Sequence, residues 1–409
     1  MKNLKLLVVA LAAMFGFIAC DKHECSDYDH SADLVGTWTC LEAGYAEALV
    51  IKADGTVAST GYDGEDYWEN LAGNIVVKNG IATMTFEDGD NFEGHIDVIA
   101  GMAFSIYNED GERMTYNYCK EDLSDEIVGM WVCVDGSTDT ENDMAIMSFS
   151  KDGKLTFTGF SPMENDFSLK SEDDYKVFGD LLFLTSQVNG NTMCFPSRIV
   201  IASNGTALGD VLINYVQPMG EIVAEPSAFL RVNQSLDLPG KKYDYIKTFV
   251  TNVDGLDKDI NFMGFEFNFA KMDGVKLDKM LKTLLFNVEF PDANTIKYAC
   301  HYNNEPMSLD APIVVDGNKM TVKMSTKNAA YKDIDLYTFQ DADCSQMHMY
   351  MPTYAFINFF GNMQATMMSQ MGNLDLTDAA AVKAVFDSID EAVNTINVSF
   401  VMEKAAKAL

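Results

Sequence analysis

The stretch Leu34-Val35-Gly36-Thr37-Trp38-Thr39-Cys40 recurs as Ile127-Val128-Gly129-Met130-Trp131-Val132-Cys133, and no other feature constrains the fold of this chain as strongly. Each copy follows a short acidic segment and opens a run of alternating apolar and polar residues. In a strand, every second side chain points to the same face. Alternation therefore groups Leu34, Gly36, Trp38 and Cys40, and likewise Ile127, Gly129, Trp131 and Cys133. Only three tryptophans are present, and two of them stand in this one setting. The chain is expected to contain two copies of one β unit, each with a tryptophan on its packed face.

The residues that follow support a duplication. From 34 to 120 the alternation is punctuated by Asp54-Gly55, Asp63-Gly64, Asn79-Gly80, Asp88-Gly89 and Asp110-Gly111. Such pairs suit hairpin turns that require positive φ. Proline is absent before Pro162, as central strands demand. Asp54-Gly55 and Thr60-Gly61-Tyr62 map onto Asp152-Gly153 and Thr158-Gly159-Phe160, and Met114 to Tyr118 maps onto Val211 to Tyr215. Two copies are too few for a solenoid, so each meander must close its own core. Closure into a barrel does this and removes exposed edges. The expected modules span 34–120 and 121–220, followed by a Pro/Gly-containing linker at 221–240.

With Leu34 or Ile127 ahead of Gly36-x-Trp38 or Gly129-x-Trp131, these modules resemble the lipocalin-like (calycin-type) domains of Gram-negative bacterial lipoproteins. The resemblance covers roughly half the chain and implies two tandem antiparallel β-barrels. It also implies that Gly36 and Gly129 allow close approach at the barrel floor, while Trp38 and Trp131 plug it. The family places an arginine near the last strand over that tryptophan. Arg113 is the candidate in the first copy, whereas Asp210 stands at the matching position of the second.

Residues 241–409 form a mixed α/β region. Strand-like runs occur at Phe262–Phe269, Asn287–Phe290, Thr295–Tyr302, Pro312–Val315, Lys319–Met324, Ile334–Phe339, Cys344–Met351 and Val398–Met402. Leu277, Met280, Leu281 and Leu284 have helical spacing. Two longer helical patterns follow Pro352 and Thr377-Asp378, the first ending at Gly372. About eight strands would suffice for a barrel. The region is either a third, diverged barrel with a helical hairpin inserted before its last strand, or an independent α+β domain.

The first nineteen residues read as a processing segment. Lys2 and Lys5 precede an apolar run from Leu6 to Ile18, and Ala19-Cys20 closes it like a bacterial lipobox. Cleavage between Ala19 and Cys20 and diacylation of Cys20 are expected. Several acyl chains at about 0.8 kcal/mol per buried CH₂ anchor stably. Residues 20–33 then form an acidic tether, and the protein is expected in the cell envelope, at the outer membrane and on its surface. A formal net charge of −32 excludes nucleic acid as a partner. Strand parity sets the obvious cysteine pairs on different faces, so no disulfide is expected.

A catalytic constellation is hard to assemble. Beyond the tether only His95, His301 and His348 remain, and neither a Gly-x-Ser-x-Gly elbow nor a His-Glu-x-x-His pair occurs. The acidic clusters Asp88-Gly89-Asp90 and Asn252, Asp254, Asp257, Asp259 lack EF-hand spacing. No enzyme activity, metal or cofactor is expected. In Met347-His348-Met349-Tyr350-Met351 alternation sends the three thioethers to one face and His348 to the other, which suits packing better than a soft-metal site. Tyr67-Trp68, in an expected loop, can stack on a sugar or fold into the core. The Met-rich helix from Tyr354 to Met371 either forms a ligand lid or covers its own sheet. The function these features favour is that of a non-enzymatic, membrane-anchored lipoprotein binding a small, partly apolar ligand or a partner protein. The alternative is a surface glycan-binding or assembly module acting through barrel loops.

Overall fold

The computed structural model describes residues 31–405, apart from 43, 108–112, 134–144, 162–165, 204–209, 217–226, 256–258, 263–264, 269–273, 284, 303–304 and 392. Ala19 and Cys20 lie outside the described residues, as do His23, Cys25 and His30 of the tether. The fold is mainly β and contains three closed, eight-stranded antiparallel barrels. The chain divides into two compact units, one built on barrel 1 and the other holding barrels 2 and 3.

A short 3-10 helix, Ser31–Leu34, leads into barrel 1. Its strands are β1 (Gly36–Glu42), β2 (Tyr45–Ile51), β3 (Thr56–Tyr62), β4 (Tyr67–Lys78), β5 (Ile81–Phe86), β6 (Asn91–Ile99), β7 (Ala103–Tyr107) and β8 (Arg113–Tyr118). Each pairs with its sequence neighbour, and β8 returns to β1 through the Trp38–Tyr118 register. The inward residues of each strand merge into one core around Trp38, Leu49, Ile75, Phe104 and Tyr116. Closure gives every central N–H a partner and leaves no edge to template association.

Barrel 2 comprises β9 (Gly129–Cys133), β10 (Ala145–Phe149), β11 (Lys154–Ser161), β12 (Asp166–Phe178), β13 (Leu181–Val188), β14 (Asn191–Ser203), β15 (Asp210–Val216) and β16 (Ser227–Val232). Closure is made by β16 against β9, with Arg231 opposite Trp131. This corrects two expectations. The segment 221–240 is not simply a linker, because it contains the closing strand. Strand order also pairs β8 with β16 as equivalents, so Val211–Tyr215 in β15 corresponds to β7 and not to Met114–Tyr118. Two successive strands of similar alternation look alike in sequence, and only the ladder separates them.

Barrel 3 is formed by β17 (Lys241–Gly255), which is followed by a separate hairpin of β18 (Asp259–Phe262) and β19 (Phe265–Asn268) and by helix α1 (Gly274–Thr283). The barrel resumes with β20 (Asn287–Asp292), β21 (Thr295–Tyr302), β22 (Glu305–Asp316), β23 (Lys319–Val322), β24 (Ile334–Gln340) and β25 (Gln346–Met351). Helices α2 (Thr353–Gln370) and α3 (Ala379–Asp390) then precede β26 (Val393–Lys404), which pairs with both β25 and β17. The region is therefore a barrel with a helical hairpin before its last strand. Of the run Phe262–Phe269, the described residues Phe262 and Phe265–Asn268 belong to the β18–β19 hairpin outside the barrel, and the run's place in the ladder is taken by the long β17. Helix α2 stops where Gly372, at φ +74°, lets Asn373 N–H reach the Met368 carbonyl at 2.7 Å. Asp378 caps α3 by accepting from Ala380 and Ala381 N–H at 3.0 and 3.1 Å.

Gly36 and Gly129 share a φ near +140°, a region essentially reserved for glycine. Their surroundings differ. A Cβ on Gly36 would lie 2.5 Å from the Tyr118 ring, whereas one on Gly129 would meet nothing within 4 Å. Both Gly→Ala substitutions are expected to cost about 1–3 kcal/mol through backbone strain. Gly36→Ala should exceed Gly129→Ala by roughly 1 kcal/mol from overpacking. Urea midpoints of the two variants measure that difference, and equal midpoints would remove the role assigned to the Tyr118 contact.

Candidate functional site

Each barrel is sealed at the end where its first strand begins. Trp38 and Trp131 are fully buried, and their indole N–H groups donate to the Leu34 and Ile127 carbonyls at 2.7 and 2.8 Å. The preceding turn is thereby tied to the plug, and a buried N–H finds a partner. In barrel 2 the Arg231 guanidinium lies 4.6 Å above the Trp131 ring and donates to the Glu126 carbonyl. The arginine sought at Arg113 is thus found one module later. Arg113 itself is exposed, 5.4 Å from the Tyr107 ring, and donates to Ser105 Oγ at 2.9 and 3.1 Å. In barrel 1 the ladder position of Arg231 is occupied by Tyr118, whose ring meets Trp38 edge-on at 4.9 Å.

Barrel 3 has a floor that sequence reading missed. Leu238 and Tyr243 are buried, and the Tyr243 hydroxyl donates to the Cys344 carbonyl at 3.2 Å while accepting from Gln340 Nε2 at 2.8 Å. The available signal was Leu238-Pro239-Gly240-Lys241-Lys242-Tyr243, a version of the repeated stretch one residue longer with tyrosine for tryptophan.

The upper interior of barrel 1 holds a polar group where its neighbours are apolar. On β2, Tyr45, Glu47, Leu49 and Ile51 face inward, and Glu47 is only 4% exposed. Its Oε1 accepts from Ser59 Oγ at 2.5 Å, and its Oε2 accepts from the Tyr45 hydroxyl at 2.7 Å and from the Tyr116 hydroxyl. Three hydroxyl donors thus converge on one buried carboxyl group. Burial, followed by the charge of Glu47, pushes the Tyr45 and Tyr116 hydroxyls well above the usual phenol range, so both stay protonated. An inward acid on an alternating strand was legible in Tyr45-Ala46-Glu47-Ala48-Leu49, though its partners were not.

Trp68 completes this group. It lies on a strand and not in the expected loop. The β3–β4 ladder shifts register between Ser59 and Gly61, opposite Asn70 at φ +51°. That bulge re-aims the strand and turns Trp68 to the inward face shared by Gly61. A Cβ on Gly61 would sit 2.2 Å from the indole, so the glycine leaves the space the ring fills. Trp68 Nε1 donates to Ser59 Oγ at 2.7 Å, and its ring centroid is 6.2 Å from that of Tyr45.

The other mouths are apolar. On the β13–β14 hairpin, Leu184 pairs with Phe195 and Ser186 with Met193, continuing the inward face of Leu182. Val188, Met193 and Phe195 are 41–44% exposed, an unusual state for inward residues. The β21–β22 hairpin repeats the pattern with Leu309 opposite Tyr298 and Met307 opposite Cys300, the first of each pair 42% and 47% exposed. Met347, Met349 and Met351 lie in the core of barrel 3. Ala355, Phe356, Ile357 and Phe360 of α2 join them there, so this helix plugs the end opposite Tyr243.

His348 points the other way, beside Tyr350. That outer face packs against barrel 2 through a cluster of Tyr337, Phe339 and Tyr350 with Val132, Leu230 and Val232. Phe167 meets Tyr337 edge-on at 4.4 Å, and Asn233 Nδ2 donates to the Asp341 carbonyl at 2.8 Å. Among the described residues, His95 on β6 and His301 on β21 are exposed, and no three acidic, histidine or cysteine side chains converge on a metal position. Cys40, Cys119, Cys194, Cys300 and Cys344 are thiols. No described helix is long and apolar enough to cross a membrane.

No protein-family model matches the chain. Over 152 residues, 33% of the chain, it is 23% identical to the DNA import protein CedB of Sulfolobus acidocaldarius, and it spans about a quarter, 25%, of that relative's length. Among solved structures, a double mutant of the vaccine antigen Transferrin Binding Protein B (TbpB) from Haemophilus parasuis Hp5 aligns with 90% of this chain and 67% of its own, at 10% identity and a TM-score of 0.25. A score at that level carries no argument, and the barrel assignment stands on this chain's own strand pairing.

Proposed function

We propose that this protein is a non-catalytic, lipid-anchored envelope lipoprotein of lipocalin-like build, held at the outer membrane through Cys20, that binds a partner protein. The observation that carries this is where the apolar side chains stand. Barrel interiors are occupied by their own residues, from Trp38, Phe104 and Tyr116 in barrel 1 to Phe290, Met349 and Phe356 in barrel 3. Apolar surface is offered instead on projecting hairpins, at Met193 and Phe195 and at Met307 and Leu309. A lipocalin-like carrier of an apolar molecule needs an empty interior, whereas a protein partner needs exposed apolar anchors with a polar rim. The strongly acidic remainder favours a partner of basic surface. Trp68 turned inward no longer supports the glycan reading, which relied on that ring at a loop.

The expected result of placing a photo-crosslinking residue at 195 or at 309 in intact cells is one discrete protein adduct. With the crosslinker kept at 195 or at 309, Met193→Asp or Met307→Asp, respectively, should abolish the corresponding adduct. Absence of any adduct at both positions, or adducts indifferent to these changes, rules out the partner reading. Displacement of a fluorescent fatty acid would return the small-ligand version. Palmitate labelling lost in Cys20→Ser tests the anchor separately.

A further inference from the structure

We propose that the open edge of β22 in barrel 3 receives an extended segment of the partner protein as an added antiparallel strand, one that alternates apolar and basic side chains. The inference rests on the partner reading above and states how that partner is held. The two neighbours of β22 cover different parts of it. β21 pairs with residues 305–312 on one side, whereas β23 pairs with 313–316 on the other. Among the described residues, no strand pairs with 306–310 on the β23 side, and every residue of that stretch is exposed. The direction of its backbone groups follows from the adjoining bonds. Ile313 N–H donates to the Asn294 carbonyl at 2.7 Å, toward β21, and Lys323 N–H donates to the Pro312 carbonyl at 2.8 Å, from the β23 side. The ladder with β21 keeps one register from Thr295–Pro312 to Tyr302–Glu305, so peptide groups alternate sides along it. The N–H and carbonyl groups of Ser308 and Asp310, and the carbonyl of Pro306, therefore face the open edge. Such a row of backbone groups is a template for another strand.

The side chains set what the strand carries. Residues bonded to β21 form the close, non-hydrogen-bonded pairs on the opposite edge. Met307 and Leu309 hold those positions, on the face of the buried Ala311 and Ile313. Apolar residues opposite them would continue that face and cover both. Ser308 and Asp310 belong to the outer face, where an added strand meets an acid. Lys297, across the ladder from Asp310, has its ammonium 3.8 Å from Glu289. A basic residue opposite Asp310 makes a favourable cross-strand pair, and the acidic remainder of the protein draws such a segment. Two prolines fix the length. Pro306 and Pro312 stand where an N–H would face the open edge, so donors are confined to the residues between them. Edges guarded in this way deter long strands and admit a short one. Barrel 2 supplies the contrast. The described ladder of β15 on β14 begins at Ser197, but Cys194 and Pro196 just before it are buried, so that edge is packed over.

The experiment uses the full-length lipoprotein in detergent and titrates a short, end-capped peptide of alternating valine and lysine by calorimetry. Hydrogen exchange is followed at single amides in parallel. The controls are a valine–glutamate peptide and the valine–lysine peptide methylated on its lysine backbone nitrogens. Saturable binding of the unmodified valine–lysine peptide is expected, with slowed exchange at the Ser308 and Asp310 amides. Both controls should bind more weakly by about tenfold or more. Ser308→Pro, which removes an N–H that β21 does not use, should cost a similar factor, while Ser308→Ala, which keeps it, should cost nothing. No saturable binding, equal binding of the methylated peptide, unchanged affinity in Ser308→Pro, or unchanged exchange at both amides would overturn the proposal. If Ser308→Pro does not fold, the methylated peptide and the two amides decide without it. A cellular adduct at 309 that persists in Ser308→Pro, with no peptide binding, would remove the added strand and leave the partner reading standing. Peptide binding with both amides protected, but no adduct in cells, would remove the partner reading and leave the edge as a receptor for extended peptide.

Discussion

Trp131→Ala is expected to destabilise barrel 2 by about 3–5 kcal/mol, the range for truncating a large buried aromatic. Three losses coincide at this residue. The indole is fully buried, so its removal opens a cavity among Ile127, Phe149 and Phe229. The Ile127 carbonyl loses its 2.8 Å donor, and the Arg231 guanidinium loses the ring 4.6 Å beneath it. Barrel 2 shares an apolar seam with barrel 3, so the loss should appear in the unfolding of that whole unit. The remaining tryptophans, Trp38 and Trp68, both belong to barrel 1. Denaturation of the variant followed by indole emission then reports barrel 1 alone, while far-UV circular dichroism reports all three. The expected result is an unmoved emission midpoint and a lowered dichroism midpoint. A dichroism shift worth less than about 1 kcal/mol would be that of a surface change and would dismiss the plug.

Acidification supplies the second large effect, through His348. Its side chain is 7% exposed, and Nε2 has no hydrogen-bond partner. Burial depresses its pKa from 6.5 to about 4. In the unfolded chain the imidazole takes its proton first, so its contribution is fully present above pH 6.5 and is lost progressively as the pH falls to about 4. A depression of that size corresponds to about 3 kcal/mol. The carboxylates act lower. A hydrogen bond from Lys242, against a smaller opposing effect of burial, holds Glu289 below its ordinary value. At Asp333 burial works upward, but bonds from Lys323 and Ser325 outweigh it and leave the group depressed. Both contribute stability that is present above their unfolded values and lost as the pH falls through the folded ones. The interval from pH 6.5 to 5 therefore isolates His348 from them. His348→Leu should flatten the stability profile there, measured by urea midpoints at half-unit steps. A wild-type slope retained in the variant would mean that the imidazole is solvated in the folded protein.

Much of the architecture was legible because the side-chain period of two and the turn pairs are local properties. Parity alone assigned Met347, Met349 and Met351 to one face and His348 to the other. Strand count in the C-terminal region came out at eight with one wrong member, since Phe262–Phe269 alternates as well as a ladder strand does. Alternation states that a segment is extended but not whom it pairs with. The same limit let Val211–Tyr215 stand in for the partner of Met114–Tyr118. It also left Arg231 in a linker, because proline and glycine nearby signal irregular chain whether or not a strand lies between them.

The candidate site divides along the same line. Glu47 was readable as an inward acid from its own strand. Trp68 was not readable as its neighbour, because an Asn70 bulge reverses the parity of everything before it, and positive φ at an asparagine leaves no mark in the sequence. The sequence by itself determined that the chain is a tandem of closed β units with tryptophan floors, since repetition, alternation and turn chemistry act over a few residues. Only the tertiary structure decided which strand closes each barrel, that helix α2 joins the core of barrel 3, and that Ser59, Tyr116 and Trp68 converge on Glu47. Those outcomes depend on register and on contacts across 69 residues of chain, as between Glu47 and Tyr116, where local preference has no say and packing does.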